Sequence, residues 1–149
     1  MAKGILLAED SPDDELLFKR ILEKNKVANP IAVVRDGGEA IAYLEGEGNF
    51  ADRNKYPLPE ILVLDLRMPG LDGFAVLEWL EKNSELKKKL LLIVLTQFGD
   101  ANQIRRAYNL WAHSFLSKPF THEDSENLIR HYAEYWTRSD SGGASAANP

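Results

Sequence analysis

Short apolar segments of strand length alternate with amphipathic segments along most of this chain. The apolar segments cover residues 5–8, 31–34, 61–64, 90–95 and 114–116. Polar positions do not alternate with apolar ones inside the clearest of them, which predicts strands buried on both faces. Between and after them, apolar positions recur with helical period over residues 14–24, 38–44, 74–83, 102–110 and 123–138.

Five repeats of strand followed by helix predict one α/β domain. Parallel strands need crossover connections, and right-handed crossovers place helices on both sides of the sheet. The simplest architecture is a flavodoxin-like, doubly wound sheet of five parallel strands with helices on both faces. Ligands of such sheets bind outside the carboxyl ends of the strands, so the residues that end the strands are the candidates for chemistry.

Two segments fall outside this alternation. Residues 45–60 contain Gly46, Gly48, Pro57 and Pro59 among polar residues, which predicts a long surface loop before the third strand. Residues 139–149 are rich in Ser, Gly and Ala, which is typical of a disordered tail. We therefore expect a single domain over residues 3–138.

Composition narrows the classes of function. The chain has 149 residues, of which 44% are hydrophobic, enough for one buried core. Its net charge of −5 argues against binding to nucleic acid or to an anionic membrane, which both need clustered basic residues. The chain has no cysteine, which excludes disulfides and thiol catalysis. Without a signal peptide or spanning segment, we expect a soluble cytoplasmic protein.

Acidic and other polar residues follow the predicted strands. Glu9 and Asp10 follow the first strand, Asp65 the third, Thr96 the fourth and Lys118 the fifth. These strand ends share one edge of the sheet, so the side chains should converge. Carboxylates gathered in a crevice repel one another unless a cation or proton neutralises them, and hard oxygen ligands favour Mg²⁺. The sequence therefore predicts a magnesium site.

The same residues suit phosphoryl transfer. Asp65 is the candidate nucleophile, because a carboxylate can accept a phosphoryl group to give an acyl phosphate. Asp10, with Glu9, would hold the metal, and the Lys118 ammonium would offset charge on the transferring group. Thr96 would donate its hydroxyl to a phosphoryl oxygen.

Each of these residues also has an ordinary explanation when it is taken alone. Asp10 precedes Ser11 and Pro12 and could cap a helix, Thr96 could start a turn, and Lys118 could be a surface lysine. Their joint placement, each at the end of a different strand, favours a functional site.

Four motifs resemble those of response-regulator receivers, the family of the bacterial chemotaxis regulator. They are Ala-Glu-Asp at residues 8–10, LVLDLRMPGLDG at 62–73, Leu-Thr at 95–96 and FLSKPF at 115–120. The resemblance covers residues 3–137. It implies phosphorylation of Asp65 by a sensor histidine kinase.

The resemblance also implies roles for the neighbouring residues. Glu9 and Asp10 would be the acid pair, and Arg67 would lend a backbone carbonyl to Mg²⁺. Thr96 would be the switch residue that moves toward the phosphoryl group, and the Phe115 ring would then swing inward. Departures from the family pattern are Gln97 and the segment Trp-Ala-His at 111–113.

The long segment at residues 45–60 and the lack of an output domain resemble a particular subset of the family. These are the small response regulators that pair with cyanobacterial bacteriophytochrome-type kinases. The resemblance implies a kinase partner of the phytochrome type and a signalling protein that is not an enzyme.

Two alternatives remain open. A Mg²⁺-dependent phosphohydrolase that uses an aspartyl phosphate usually has a second Asp two residues after the nucleophile, where this chain has Arg67. A degenerate receiver that only binds partners would lack an acceptor, metal acid or lysine, but Asp65, Asp10 and Lys118 are present.

The last helical segment predicts a homodimer. A helix over residues 123–138 would be about 24 Å long, longer than a five-residue strand of about 17 Å, so its last turn would overhang the sheet. Tyr135 and Trp136 lie on that turn, and Trp111 precedes the fifth strand, which would give an aromatic patch for a two-fold contact. Alternatively, Tyr135 and Trp136 close the core of their own domain.

Overall fold

The computed structural model describes residues 3–97, 101–110 and 112–138. Its sheet has five parallel strands in the order β2-β1-β3-β4-β5. The strands are β1 (Ile5–Ala8), β2 (Ile31–Val34), β3 (Ile61–Asp65), β4 (Leu91–Gln97) and β5 (Ser114–Lys118). The predicted five-stranded, flavodoxin-like parallel sheet is confirmed.

Helices cover both faces of the sheet. They are α1 (Pro12–Lys24), α2 (Gly37–Glu45), α3 (Gly73–Glu81), α4 (Ser84–Lys87), α5 (Ala101–Asn109) and α6 (His122–His131). Side chains of α1 and α6 share one core with alternate strand residues, while α2, α3 and α5 share the other. Within the described ranges, no helix is long and apolar enough to cross a membrane.

Local sequence fixes where the helices begin near the strand ends. Ser11 Oγ accepts the backbone N–H of Asp14 at 3.2 Å, and Pro12 occupies the first turn of α1. Asp72 caps α3 in the same way. A Cβ on Gly73 would lie 2.4 Å from the carbonyl oxygen of Asp65, so only glycine lets α3 start this close to the end of β3.

The segment after α2 is held by its own contacts. It forms a 3₁₀ turn at Gly48–Phe50. The Arg53 guanidinium donates to the carbonyls of Tyr43 at 2.8 Å, Leu44 at 2.9 Å and Tyr56 at 3.0 Å. The predicted loop is therefore a compact cap on the C-terminal end of α2.

The predicted helix over residues 123–138 is wrong, because α6 ends at His131. After one 3₁₀ turn at Ala133–Tyr135, Arg138 forms an antiparallel bridge with Val27. The buried side chain of Asn29 accepts the N–H of Thr137 at 2.6 Å and donates to the carbonyl of Tyr135 at 2.9 Å. These contacts draw the chain across the domain instead of continuing the helix.

The aromatic residues of this segment belong to the core between α1, α6 and the sheet. Trp136 is 7% exposed, and Tyr135 packs partly buried against the same core. The predicted overhang of the last helical turn is wrong, because α6 already ends at His131. Trp111 and the predicted disordered tail at residues 139–149 lie outside the described residues.

Candidate functional site

The ammonium of Lys118, at the end of β5, lies among three carboxylates. Its Nζ is 2.7 Å from Glu9 Oε1, 2.8 Å from Asp65 Oδ2 and 2.8 Å from Asp14 Oδ2. Glu9 follows β1, Asp65 is the last residue of β3, and Asp14 lies in the first turn of α1. The side chain of Lys118 is only 11% exposed, so its ammonium group is largely shielded from water.

Contacts at both of its oxygens orient the carboxylate of Asp65. Oδ2 accepts a hydrogen bond from Lys118, and Oδ1 accepts the backbone N–H of Arg67 at 2.9 Å. The residue is 4% exposed. Because β3 ends at Asp65, the residue lies at the carboxyl edge of the sheet.

Three acidic residues form a group that could hold a metal ion. One oxygen of each of Glu9, Asp10 and Asp65 lies within 4.8 Å of the others, with Asp10 exposed and the other two buried. Burial, and then the neighbouring Asp65 carboxylate, raises the pKa of Glu9 to about 8. A cluster that holds a proton this firmly fits a divalent cation, which would neutralise the same charge.

Lys118 stays charged in this site. Burial by itself lowers the pKa of Lys118, but hydrogen bonds to Asp14, Asp65 and Glu9 outweigh burial and raise the pKa above its ordinary value. The site therefore contains a permanent ammonium next to the Asp65 carboxylate.

Thr96 lies inside β4, although it was predicted to follow the strand, because the ladder with β5 continues through the Thr96–Ser117 pair. The residue is 1% exposed. Its Oγ1 has no hydrogen-bond partner among the described residues. A buried hydroxyl without a partner is costly, so this group is suited to a ligand oxygen that arrives later.

Phe115 occupies the second position of β5 and pairs with Val94 on the neighbouring strand. Val94 and Thr96 are alternate residues of β4 and therefore share a face of the sheet. Phe115, the partner of Val94, lies on this same face. The ring is partly buried and packs against Tyr108 of α5, with centroids 4.6 Å apart.

An open cleft of about 490 Å³ gives access to this edge of the sheet. Its walls include the exposed Asp10, the turn from Leu66 to Pro69, and Gln103 of α5. The cleft therefore opens Asp10, the exposed member of the acidic group, to solvent.

The sequence analysis missed two residues at the site. Asp14 belongs to an acidic run at residues 13–15, and such runs are common in the first turn of a helix. Only the orientation of α1 in the fold shows that Asp14, and not Asp13, contacts Lys118. Arg35, just after β2, donates to the carbonyl of Glu9 at 3.1 Å and pairs with Glu15. No local motif marks Arg35, since both partners come from another part of the chain.

Comparison with known proteins places these features in one family. The family model of the response regulator receiver domain matches residues 5–130. The probable methanogenesis regulatory protein FilR2 of Methanothrix harundinacea is 36% identical over 135 residues, which cover 89% of this chain and 82% of FilR2.

Solved structures of phytochrome response regulators are similar as well. The phosphorylated cyanobacterial phytochrome response regulator RcpA is 29% identical, with a TM-score of 0.75 over 91% of this chain and 94% of RcpA. The Mn²⁺-bound form of response regulator Rcp1 is also 29% identical, with a TM-score of 0.72 over 87% of this chain and 90% of Rcp1.

Proposed function

The chain belongs to the response regulator receiver family, and from this premise we propose that Asp65 accepts a phosphoryl group from a sensor histidine kinase. The observation that carries the proposal is the buried contact of Lys118 with Asp65 beside two further strand-end acids. Receiver domains act as signalling switches, and this chain would signal by a change of its surface.

The proposed reaction is an in-line substitution at phosphorus. An oxygen of Asp65 forms a bond to phosphorus while the P–N bond of the donor phosphohistidine breaks, and the imidazole leaves with its electron pair and takes up a proton. The Lys118 ammonium offsets charge on the phosphoryl oxygens, and the N–H of Arg67 holds the other Asp65 oxygen. Thr96 then donates its unpaired hydroxyl to the bound phosphoryl group.

Receiver domains bind Mg²⁺ at an acidic site, and the residues of this chain fit such an ion. Glu9, Asp10 and Asp65, with the backbone carbonyl of Arg67, would hold it. When bound, Mg²⁺ would supply positive charge that offsets repulsion between the carboxylates and the incoming phosphoryl group. Rcp1, which is similar to this chain, has been solved in a Mn²⁺-bound form, and this supports a divalent ion in the proposed function.

The partner that we propose is a histidine kinase of the phytochrome type. The similarity to the phytochrome response regulator RcpA over 91% of this chain supports it.

We also propose a homodimer, and light scattering should then report about twice the chain mass of 16.8 kDa. Elution of the protein at monomer mass over the whole micromolar range would exclude the dimer.

Intact mass measurement after incubation with acetyl phosphate and Mg²⁺ tests the phosphorylation. We expect one added phosphoryl group, which hydroxylamine removes because acyl phosphates react with it. Asp65→Asn should abolish the addition while Asp13→Asn, an exposed acid nearby, should not. Phosphorylation of the Asp65→Asn variant would overturn the assignment.

The same incubation, followed both by intact mass and by release of inorganic phosphate, separates the alternatives. A phosphohydrolase would release inorganic phosphate with repeated turnover of a small phosphorylated substrate, and a module that only binds partners would take up no phosphoryl group at all.

A further inference from the structure

We propose that Asp14 is a positioning residue that holds the Lys118 ammonium in place throughout phosphoryl transfer. The inference rests on the proposed function of Asp65. It starts from the contact of 2.8 Å between Asp14 Oδ2 and Lys118 Nζ, which joins α1 to the end of β5.

Three carboxyl groups surround the ammonium group of Lys118. An ammonium group has three N–H donors, and Nζ of Lys118 lies within 2.8 Å of three carboxylate oxygens. Two of these oxygens belong to Glu9 and Asp65, which the proposed function assigns to the metal and to the phosphoryl group. The Asp65 carboxylate also loses its negative charge when one of its oxygens bonds to phosphorus to give an acyl phosphate.

Asp14 is the partner without a second task. Its carboxylate is not one of the three acids grouped closely enough to share a metal ion among the described residues. When Asp65 is phosphorylated, the donor that faced Asp65 becomes available for a phosphoryl oxygen. The hydrogen bond to Asp14 then keeps the ammonium group in the site while its free donor turns to the phosphoryl oxygen.

The structure fixes Asp14 firmly enough for this task. Its backbone N–H donates to Ser11 Oγ at 3.2 Å, and α1 is anchored in the core by Phe18 and Leu22. A negative charge in the first turn of a helix is favourable, and the side chain of Asp14 remains 30% exposed to solvent.

Asp13 supplies a matched control. It is the preceding residue, it carries the same charge in the same helical turn, and its side chain is exposed. A change to Asn at either position removes one negative charge from the start of α1, but only the change at Asp14 removes a partner of Lys118.

The experiment is phosphorylation of purified protein by acetyl phosphate at saturating Mg²⁺, followed as the rate of phosphoryl incorporation. Asp14→Asn should slow incorporation about ten-fold, the loss expected for one charged hydrogen bond, while Asp13→Asn should stay within about two-fold of the parent. Circular dichroism should show that both variants are folded.

A second arm separates positioning from a general structural effect. Beryllium fluoride with Mg²⁺ mimics the bound phosphoryl group, and its affinity should fall about ten-fold in Asp14→Asn. In a Lys118→Met background, Asp14→Asn should cause no further loss, because Asp14 acts only through the lysine.

Equal rates for Asp14→Asn and Asp13→Asn, a faster Asp14→Asn variant, or an undiminished loss in the Lys118→Met background would each overturn the inference. A parent protein that takes up no phosphoryl group would instead overturn the proposed function, so the two failures are distinct. Should Asp14→Asn not fold, Asp14→Glu provides the test, since it keeps the charge but displaces the carboxylate by one methylene. It should then slow incorporation relative to the parent, and an unchanged rate would contradict the inference.

Discussion

Oε1 of Glu9 lies 2.7 Å from Nζ of Lys118, yet the pKa of Glu9 is raised to about 8. Burial is the main cause, and the adjacent Asp65 carboxylate adds to it, while Lys118 opposes both without offsetting them. Without a bound cation, the carboxyl group of Glu9 therefore holds a proton up to a higher pH than an ordinary glutamate does. Metal binding should release that proton.

The raised pKa predicts how stability depends on pH without metal. A carboxyl whose pKa is higher in the folded state stabilises the protein fully below its ordinary pKa of 4.5, and this stability is lost as pH rises through about 8. In EDTA, the free energy of unfolding should thus fall between about pH 5 and pH 9 by several kcal/mol more in the parent than in Glu9→Gln. Urea unfolding across this range measures the difference.

Addition of Mg²⁺ provides the control for this titration. It should restore most of the stability that the parent loses at the alkaline end, because the ion stabilises ionised Glu9. If the free energy of unfolding changed with pH in the same way for the parent and Glu9→Gln in EDTA, the pKa of Glu9 would not be raised.

A second prediction concerns the unpaired hydroxyl of Thr96. Thr96→Val removes the hydroxyl but keeps the shape, so the unphosphorylated protein should be as stable as the parent or more stable. The variant should still accept phosphate. Beryllium fluoride should shift the NMR signals of the Phe115 ring in the parent and in Thr96→Ser, but only weakly in Thr96→Val, because the phosphoryl mimic biases the surface only through differential contacts.

An equal shift of the Phe115 signals in all three proteins would exclude a role of Thr96 in the switch. The Tyr108 ring reports on the same region, since it packs on Phe115 at 4.6 Å. Its signals should move together with those of Phe115.

The third prediction tests where Trp136 belongs. Because its side chain is buried in the core of its own domain, Trp136→Ala should lower the free energy of unfolding by about 3–5 kcal/mol. Tyr108→Ala, at a residue that is 62% exposed, should cost much less. Chemical unfolding at two protein concentrations distinguishes a core role of Trp136 from a dimer contact. If the substitution removed a dimer contact, the loss of stability would depend on protein concentration, whereas a loss of core packing would not.

The fourth prediction concerns the cap on α2. Arg53→Ala removes donors from three backbone carbonyls and should cost about 1–3 kcal/mol of stability. Arg53→Lys should recover little, because a lysine lacks the planar fork that spans several acceptors. Asn54→Ala, at the neighbouring exposed position, should change stability by less than about 0.5 kcal/mol in thermal or urea unfolding. Equal effects at Arg53 and Asn54 would show that the cap is not stabilising.

The sequence by itself determined the sheet and most of the acidic edge. Buried parallel strands are continuous apolar runs, and that property is local, so five runs predicted five strands. Parallel strands also end at a common edge. The proximity of Glu9, Asp65 and Lys118 could therefore be predicted from the sequence without knowledge of any contact.

Only the tertiary structure decided the end of α6 and the partners of Lys118. The helical pattern of Leu128, Ile129, Tyr132 and Trp136 contains no local stop signal, and the chain turns because it pairs with Val27 and bonds to Asn29, which is 108 positions from Thr137. Asp14 meets Lys118 across 104 positions in the same way. Periodicity records which face a residue presents, but a contact between distant segments depends on how whole elements pack, and that information appears only in the folded chain.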